Sequence, residues 1–463
     1  MHPSLHAARR LSLGRAVSGP VLLLGNDARA RNLPGADLPF RQDSTFLYFT
    51  GLSAPGAAAW IEGGRSTLYL TPPAVDDGLW HGHVESIEDT AARLGFDEAR
   101  PYDELGPRAT AQRPATVAVP DSAVTARAAA WTGAPLVYGE APGDEALIAE
   151  IIRQRRTKSD DELAVMRATA KISAEAHRFA MAATRPGVHE RALTAVFEAY
   201  LASRGLGLAY DTILTQRGEV LHNHAHDAVC QAGKLLLLDG GGESVDGYAS
   251  DITRTWPVSG TFTGRQRAAY EAVLAAQAAA IDLARAGVRY RHVHDAASRV
   301  IAQFLIDERI LRGVDADTAV ARGAHALFFP HGVGHLIGLD VHDLRNFGDR
   351  PAYAPGASRD PAFGTRYLRL DLPLEAGWVV TIEPGFYVVP AILGDASLRA
   401  GFADILDLDV AEGWAGFGGI RIEDDVVIRD AAPPEVLSAH APKSVDEVSA
   451  LVGSGAPLEA LIT

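Results

Sequence analysis

Cysteine is nearly absent: Cys230 is the only one in 463 residues. An intramolecular disulfide framework is therefore excluded, and a reducing compartment fits. Lysine is scarce as well, with Lys158, Lys171, Lys234 and Lys443 the only four. The formal net charge is −15. A nucleic-acid binder carries a basic footprint, so nucleic acid is not the expected partner. No apolar run approaches the ~18 residues of a membrane span. The N-terminus shows no basic start followed by a long apolar stretch, so no signal peptide is read there. No membrane association is expected, and a cytoplasmic location is. What is present is ordinary globular composition, 47% hydrophobic and 22% charged. At ~100–200 residues per domain, the length suggests two or three domains.

Short apolar runs bounded by Gly and Pro predict strands at 21–24, 57–61, 66–70 and 115–119. Helical stretches at 87–94 and 122–131 lie between them. That alternation predicts an α/β layer domain over residues 1–155. The turn-rich Gly139-Glu-Ala-Pro-Gly143 and a polar stretch to Lys158 mark the boundary. Ser159-Asp-Asp-Glu162 then reads as a capping box that opens a long helix. Residues 156–463 hint at duplication. An Ala-rich helix ends in Arg185-Pro-Gly-Val188 and restarts over 190–202. A second, over 265–284, ends in Arg285-Ala-Gly-Val288 and restarts over 294–306. Helices often end in Gly. The sharper reading is two α+β halves facing one cleft.

Five segments in the second part can carry chemistry. Leu235-Leu-Leu-Leu-Asp239 is an apolar strand ending in a carboxylate, and Tyr248-Ala-Ser-Asp251-Ile-Thr places a second aspartate inside a strand. A turn-rich link makes them hairpin neighbours. Asp is disfavoured in strands and adjacent buried carboxylates repel; a cation between them resolves both problems, and edge aspartates in water are the bland alternative. Asp246, in the link, is another candidate. His331-Gly-Val-Gly-His335 through His342 gathers three histidines in twelve residues. Val379-Val-Thr-Ile-Glu383 and Gly419-Ile-Arg-Ile-Glu423 are further strand-like runs carrying a glutamate. One histidine and four carboxylates form an oxygen-rich set, which favours manganese, cobalt or magnesium over a thiolate-type zinc site. Four carboxylates exceed what one divalent ion neutralises, so two ions sharing carboxylates are expected, with a water acidified between them.

In this order and context, Asp239, Asp251, His335, Glu383 and Glu423 resemble the ligand set of the pita-bread metallopeptidases, the group of Xaa-Pro aminopeptidase (aminopeptidase P) and prolidase. Phe40-Arg-Gln-Asp-Ser-Thr-Phe-Leu-Tyr-Phe-Thr-Gly51 is similar to the signature of their N-terminal domain, and Leu79-Trp80-His-Gly82 to its tryptophan loop. The resemblance implies a creatinase-type α/β domain over 1–155 and a pita-bread α+β domain with internal pseudo-two-fold duplication over 156–463. It implies two divalent ions, manganese foremost, with cobalt or zinc possible. His335 and Glu383 would bind one ion, Asp239 the other, and Asp251 and Glu423 both. His222 and His342 would lie near the scissile carbonyl, with His331 in the substrate site. Arg421 would brace a ligand carboxylate with Tyr387 nearby, and Glu383 would carry the proton. Arg369 stands where prolidases hold an arginine for the proline carboxylate. The family further implies peptide substrates with proline second and a homodimer or tetramer, with Trp80 near a substrate entrance.

Several features leave other readings open. The Asp239–Asp251 separation is one residue longer than usual for the group. His222-Asn-His224-Ala-His226 fits the H-x-H-x-H of a zinc amidohydrolase barrel, and Gly240-Gly-Gly242 mimics a phosphate loop without its Lys-Ser/Thr. Metal-free relatives act as creatinases or binding modules. Within the peptidases, removal of the first residue from longer peptides is the leading expectation and cleavage restricted to dipeptides the alternative. The long segments after His342 and after Glu383 are prolidase-like.

Overall fold

The computed structural model describes residues 1–33 and 35–456. The chain divides into two units, one of residues 1–156 with 344–351, the other of residues 157–343 with 352–463. The short segment 344–351 therefore groups with the first unit, which a boundary drawn once along the chain does not anticipate. Among the described residues, no helix is long and apolar enough to cross a membrane.

The first unit is built on a five-stranded sheet in the order Glu98–Pro101, Arg65–Leu70, Ala58–Glu62, Val21–Leu24, Ala115–Thr116. Its three central strands are antiparallel and both edge pairings are parallel. The apolar runs read from the sequence form these strands, with one shortened. The expected strand 115–119 stops at Thr116, because Val117 bridges to Gly143 and Val119 is held at both backbone groups by the Thr125 hydroxyl. Asp121 then caps the helix Ser122–Thr132. Trp80 sits on the short helix Asp77–His81, which buries none of its residues.

The second unit repeats one plan twice. The capping box of Ser159 and Glu162 opens the helix Asp160–Ala183, and Glu190–Ser203 follows. The helices Gly264–Leu283 and Tyr290–Asp307 mirror them. The second of these begins at Tyr290, a turn before the expected start at 294. Between helices the two turns match bond for bond. Gly187 N–H donates to Cys230 O and Gly287 N–H to Leu374 O, each at 2.8 Å. Both glycines take positive φ, 92° and 85°, a conformation costly for a side chain. His189 bridges Val229 as Arg289 bridges Pro373. Each half then supplies an antiparallel sheet. The first is Thr253–Pro257, Leu235–Asp239 and Ile213–Thr215; the second is Val379–Ile382, Asp424–Val427 and Glu435–Val436. This is an α+β duplication, with no eight-stranded parallel barrel among the described residues to suit the amidohydrolase reading.

The triple glycine is a close-packed extension of the strand, bonded alongside 250–252, rather than a phosphate cradle or the expected turn. A Cβ on Gly241 would lie 1.8 Å from the Ser250 carbonyl oxygen. Gly241→Ala must push apart the two segments bearing Asp239 and Asp251. Overpacking costs about 1–3 kcal/mol, and a backbone obstacle puts this case at the upper end; thermal denaturation of the variant is expected to show that loss.

Candidate active site

The first half delivers two carboxylates. Asp239 ends its strand opposite Thr253. Asp251 lies two residues before the strand that starts at Thr253, not inside it as expected. Its N–H donates to Asp425 Oδ2 at 3.1 Å, which takes it out of the ladder. The Tyr210 hydroxyl lies 2.6 Å from Asp239 Oδ1 and also meets Asp251 Oδ1. One O–H carries one hydrogen, so it cannot satisfy both carboxylates. Asp246 stays in the turn that closes with Gly247 N–H on Ser244 O.

The second half delivers two glutamates, from a ladder interrupted at one point. Val379–Ile382 pairs with Asp424–Val427, and Gly385–Tyr387 with Gly419–Arg421, in one unbroken register. That register sets Glu383 opposite Glu423. Hence the single strand expected through Glu423 is two strands. Pro384 has no N–H to give. The Glu383 N–H donates to Val333 O at 2.8 Å and that of Glu423 to Thr253 O at 3.0 Å. Both glutamates thus leave the ladder. The Thr253 hydroxyl donates to Glu423 Oε2 at 2.7 Å.

His335 completes the cluster. Its Nδ1 is 3.0 Å from the Leu336 carbonyl. A carbonyl only accepts, so Nδ1 carries the proton and Nε2 presents a lone pair. That lone pair faces Asp251 Oδ2 at 3.4 Å and Glu383 Oε1 at 3.6 Å. Acceptor thus faces acceptor, which only a proton or a cation between them makes favourable. Ligand atoms of Asp251, His335 and Glu423, all buried, lie within 4.8 Å of one another. Asp239 and Glu383 join them through Arg421, Tyr210 and His335. The donor set fits divalent cations with oxygen and imidazole ligands, and the second nitrogen of His335 is braced as a metal-ligating histidine requires.

A chain of bonds of fixed direction flanks the cluster. The Arg421 guanidinium donates to Asp239 Oδ2 at 2.5 Å, to the Thr253 hydroxyl at 3.1 Å and to the Tyr387 hydroxyl at 2.9 Å. Tyr387 can then donate to His331 Nε2 at 3.0 Å, while His331 Nδ1–H donates to Gly332 O at 2.8 Å. His331 is thereby neutral. Burial, with Arg421 nearby, lowers its pKa to about 3.

The remaining predicted residues surround this centre. The His342 ring stands perpendicular to that of His335, with centroids 4.4 Å apart. Arg369 is half-buried, and its Nη1 donates to His342 Nε2. Its charge acts on Glu383, His331 and His222, so it faces the site rather than solvent. His222 is partly exposed; desolvation and then Arg421 lower its pKa. His224 is exposed, and His226 Nδ1 bonds the Leu214 carbonyl, so the three do not converge as a metal site. Trp80 belongs to the other unit. The loop bearing His342 closes through Asp343 N–H on Leu336 O, and Lys158 Nζ pairs with Asp343 at 2.9 Å, both side chains 1% exposed. Sequence reading missed Tyr210 and Thr253. Neither has a local signal: Tyr210 meets its aspartates 29 and 41 residues on, and Thr253 meets Glu423 only when the two halves come together.

Crowding sets the electrostatics. Burial pushes the Glu383 carboxyl up to about 7, with Asp251 adding repulsion against His335, Arg421 and Arg369. Glu423 is raised well above the usual range by burial and by Asp251, Glu383 and Asp239.

Residues 164–430 match the metallopeptidase family M24, and residues 6–114 match the aminopeptidase P N-terminal domain. The chain is 35% identical over 446 residues to the human Xaa-Pro dipeptidase, covering 93% of this chain and 88% of that one. It is 32% identical over 431 residues to a probable Xaa-Pro aminopeptidase of Phaeosphaeria nodorum, covering 90% and 88%. The structure of Pseudomonas aeruginosa aminopeptidase PepP superposes with a TM-score of 0.81 at 30% identity, over 99% of both chains. The chain belongs to the M24 metallopeptidases, with the aminopeptidase P N-terminal domain joined to a pita-bread domain.

The raised carboxyls make metal uptake a proton-releasing event. Glu383, at about 7 without metal, must lose its proton to act as a ligand. Apparent affinity is therefore expected to fall as pH drops through 7. In the metal-free protein a raised carboxyl stabilises the fold below its unfolded pKa, and that contribution is lost as pH rises through about 7. The rise in Tm on adding Mn2+ should accordingly grow from pH 5 to 8, and calorimetry in buffers of different ionisation enthalpy should register proton release.

Proposed function

We propose that this chain hydrolyses the Xaa-Pro bond of short peptides, with the dipeptide preferred. The observation that carries the reading is Arg369. It is half-buried, touches His342 and acts electrostatically on Glu383 and His331. Arginine pairs with carboxylate through two parallel bonds. A dipeptide places its terminal carboxylate one residue from the scissile bond, within the chemistry of Arg369; a longer peptide puts an amide there. The dipeptidase alternative of the sequence thus gains on the aminopeptidase expectation. Removal of the first residue from longer peptides stays as the second reading, supported by the full-length likeness to an aminopeptidase structure.

Divalent ions held by Asp239, Asp251, His335, Glu383 and Glu423 would polarise the scissile carbonyl and acidify a water, with manganese foremost and cobalt or zinc as substitutes. The chain's own groups do the rest. Arg421 holds Asp239 in place. The neutral His331 and Tyr387 offer a wall without charge beside Glu383. His222 and the His342–Arg369 pair orient the carbonyl and the C-terminus. Glu383 takes the proton from the attacking water and passes it to the departing proline nitrogen.

The partner surface follows from the first unit. Leu79 is 77% and Trp80 73% exposed, and large exposed apolar groups at a loop tip mark association. The chain is read as a homodimer or tetramer; light scattering at micromolar concentration should give at least twice the chain mass of 49.1 kDa.

Arg369→Ala separates the two substrate readings. Losing a charge-assisted bond costs about 1.5–3 kcal/mol, so kcat/KM for Ala-Pro should fall about tenfold or more relative to Ala-Pro-Ala. Equal losses on both peptides would reject the clamp and favour the aminopeptidase.

A further inference from the structure

Helix Gly264–Leu283 buries two glutamines: Gln266 in its capping box, and Gln277 in mid-helix with no exposed surface. The position of Gln277 coincides with the interruption of the second-half ladder. Gln277 Nε2 lies 3.3 Å from Ile382 O and 3.1 Å from Ile422 O. These carbonyls immediately precede Glu383 and Glu423, which stand opposite each other where the ladder opens. The same nitrogen lies 3.0 Å from Asp424 Oδ2, and Gln277 Oε1 accepts from Lys443 Nζ at 2.8 Å. An amide NH2 has two hydrogens, so one of them is shared between two of the three acceptors. Buried carbonyls left unpaired at a ladder gap are costly. Gln277 reaches both, Ile382 at the end of its ladder and Ile422 opposite Pro384, which has no N–H. It ties the two strands together from behind, on the side away from the glutamate N–H bonds.

We infer that Gln277 is a positioning residue of the metal centre: it fixes the two carbonyls at the gap and thereby the spacing of Glu383 and Glu423. Its orientation is set in turn. Lys443 can only donate, so Oε1 faces Lys443 and the NH2 must face the strands. The wider group is closed by Asp424, which also accepts from Lys443 at 2.7 Å, Arg254 at 2.7 Å and Ser438 at 2.6 Å. Without the amide, each glutamate can shift with its own strand, and a pair of carboxylates that must share ions loses its fixed separation. The inference rests on the metallopeptidase reading, and the test separates the two.

Mn2+ binding to metal-free wild type, Gln277→Met, Gln277→Asn and Val273→Ala is measured by calorimetry and by bound metal after gel filtration. Met keeps the volume and removes both donors; Asn keeps the amide but is shorter by one methylene. Val273, buried one turn earlier on the same helix, reports simple loss of packing. Partners that orient metal ligands typically contribute 10–100-fold in affinity. The expected result is a loss of about tenfold or more for Gln277→Met, a smaller loss for Gln277→Asn, and native affinity with lowered Tm for Val273→Ala. Native affinity in Gln277→Met, or in Gln277→Asn should the former not fold, would overturn the assignment. An equal loss in Val273→Ala would overturn it too, reducing the effect to packing. A wild type that takes up no divalent ion would instead overturn the metallopeptidase reading itself.

Discussion

Four carboxylates and the bare nitrogen of one imidazole share a buried space, and their mutual repulsion is the constraint the second unit is built to hold. Burying one unpaired charge costs several kcal/mol. The chain separates the problem into two layers. In the outer layer, Asp424 is fully paired with Arg254, Lys443 and Ser438 and held well below the usual carboxylate range; burial opposes the shift and the cations overcome it. One residue away, Glu423 is pushed in the opposite direction. Asp425, on the far side, is raised as well, and its Oδ1 has no hydrogen-bond partner. Three consecutive acids thus have three environments. The outer carboxylate is more than balanced by its two cations, and the inner layer is left short of positive charge at the point where the carboxylates converge.

Duplication explains how one chain can aim so many acids at one place. Each half presents an antiparallel pair of strands whose ends carry two carboxylates, Asp239 with Asp251 and Glu383 with Glu423. The halves meet through one backbone bond, Glu423 N–H to Thr253 O, and one from a side chain, the Thr255 hydroxyl donating to Arg421 O at 3.0 Å. Rigid strands hold ligand geometry better than loops do. The departures from regular pairing, at Asp251 and at the Glu383–Pro384 gap, fall where a carboxylate must leave the ladder. His335, by contrast, comes from a loop. That loop is fixed by Thr381, whose hydroxyl accepts from His335 N–H at 3.1 Å and whose own N–H bonds the His335 carbonyl at 2.9 Å.

Much of this was legible in the sequence because it is local. The capping box of Ser159 and Glu162 is set by neighbours a few residues away, and the strands of the first unit and the paired Gly187 and Gly287 turns carry their own apolar runs and glycines in the local sequence. The clustered acids were visible as carboxylates on strand-like runs, Asp239 at the end of one and Asp251 within another. What was not visible depends on partners far along the chain. Tyr210 acts on aspartates 29 and 41 residues on. Gln277 sits in an Ala-rich helix with nothing beside it to mark a role, and its acceptors lie 105 and 145 residues later. The split of the 419–428 run is caused by Pro384 on the opposite strand, so the run itself contains no sign of it. The grouping of 344–351 with the first unit has the same character.

Arg369 shows how an insertion can act as a fixed part of a site. The segment between His342 and Glu383 is long, and long loops ordinarily carry conformational freedom. Here it is tied down on both sides of the arginine. Leu368 and Leu370 are buried. The Tyr353 hydroxyl donates to Leu368 O at 2.6 Å, and Asp371 N–H to Ala352 O at 2.8 Å. A Cβ on Gly332 would come within 2.8 Å of Leu368 Cα, so the glycine between His331 and His335 is what admits this backbone. The guanidinium is therefore delivered by a segment packed against the histidine loop itself. A cation pre-placed in this way would lose little entropy on meeting a carboxylate, and with an amide in its place it would keep its bond to His342 but find no opposite charge. The proposed clamp would thus discriminate by penalty as well as by attraction, and one arginine would set peptide length with no change in the acid and histidine cluster.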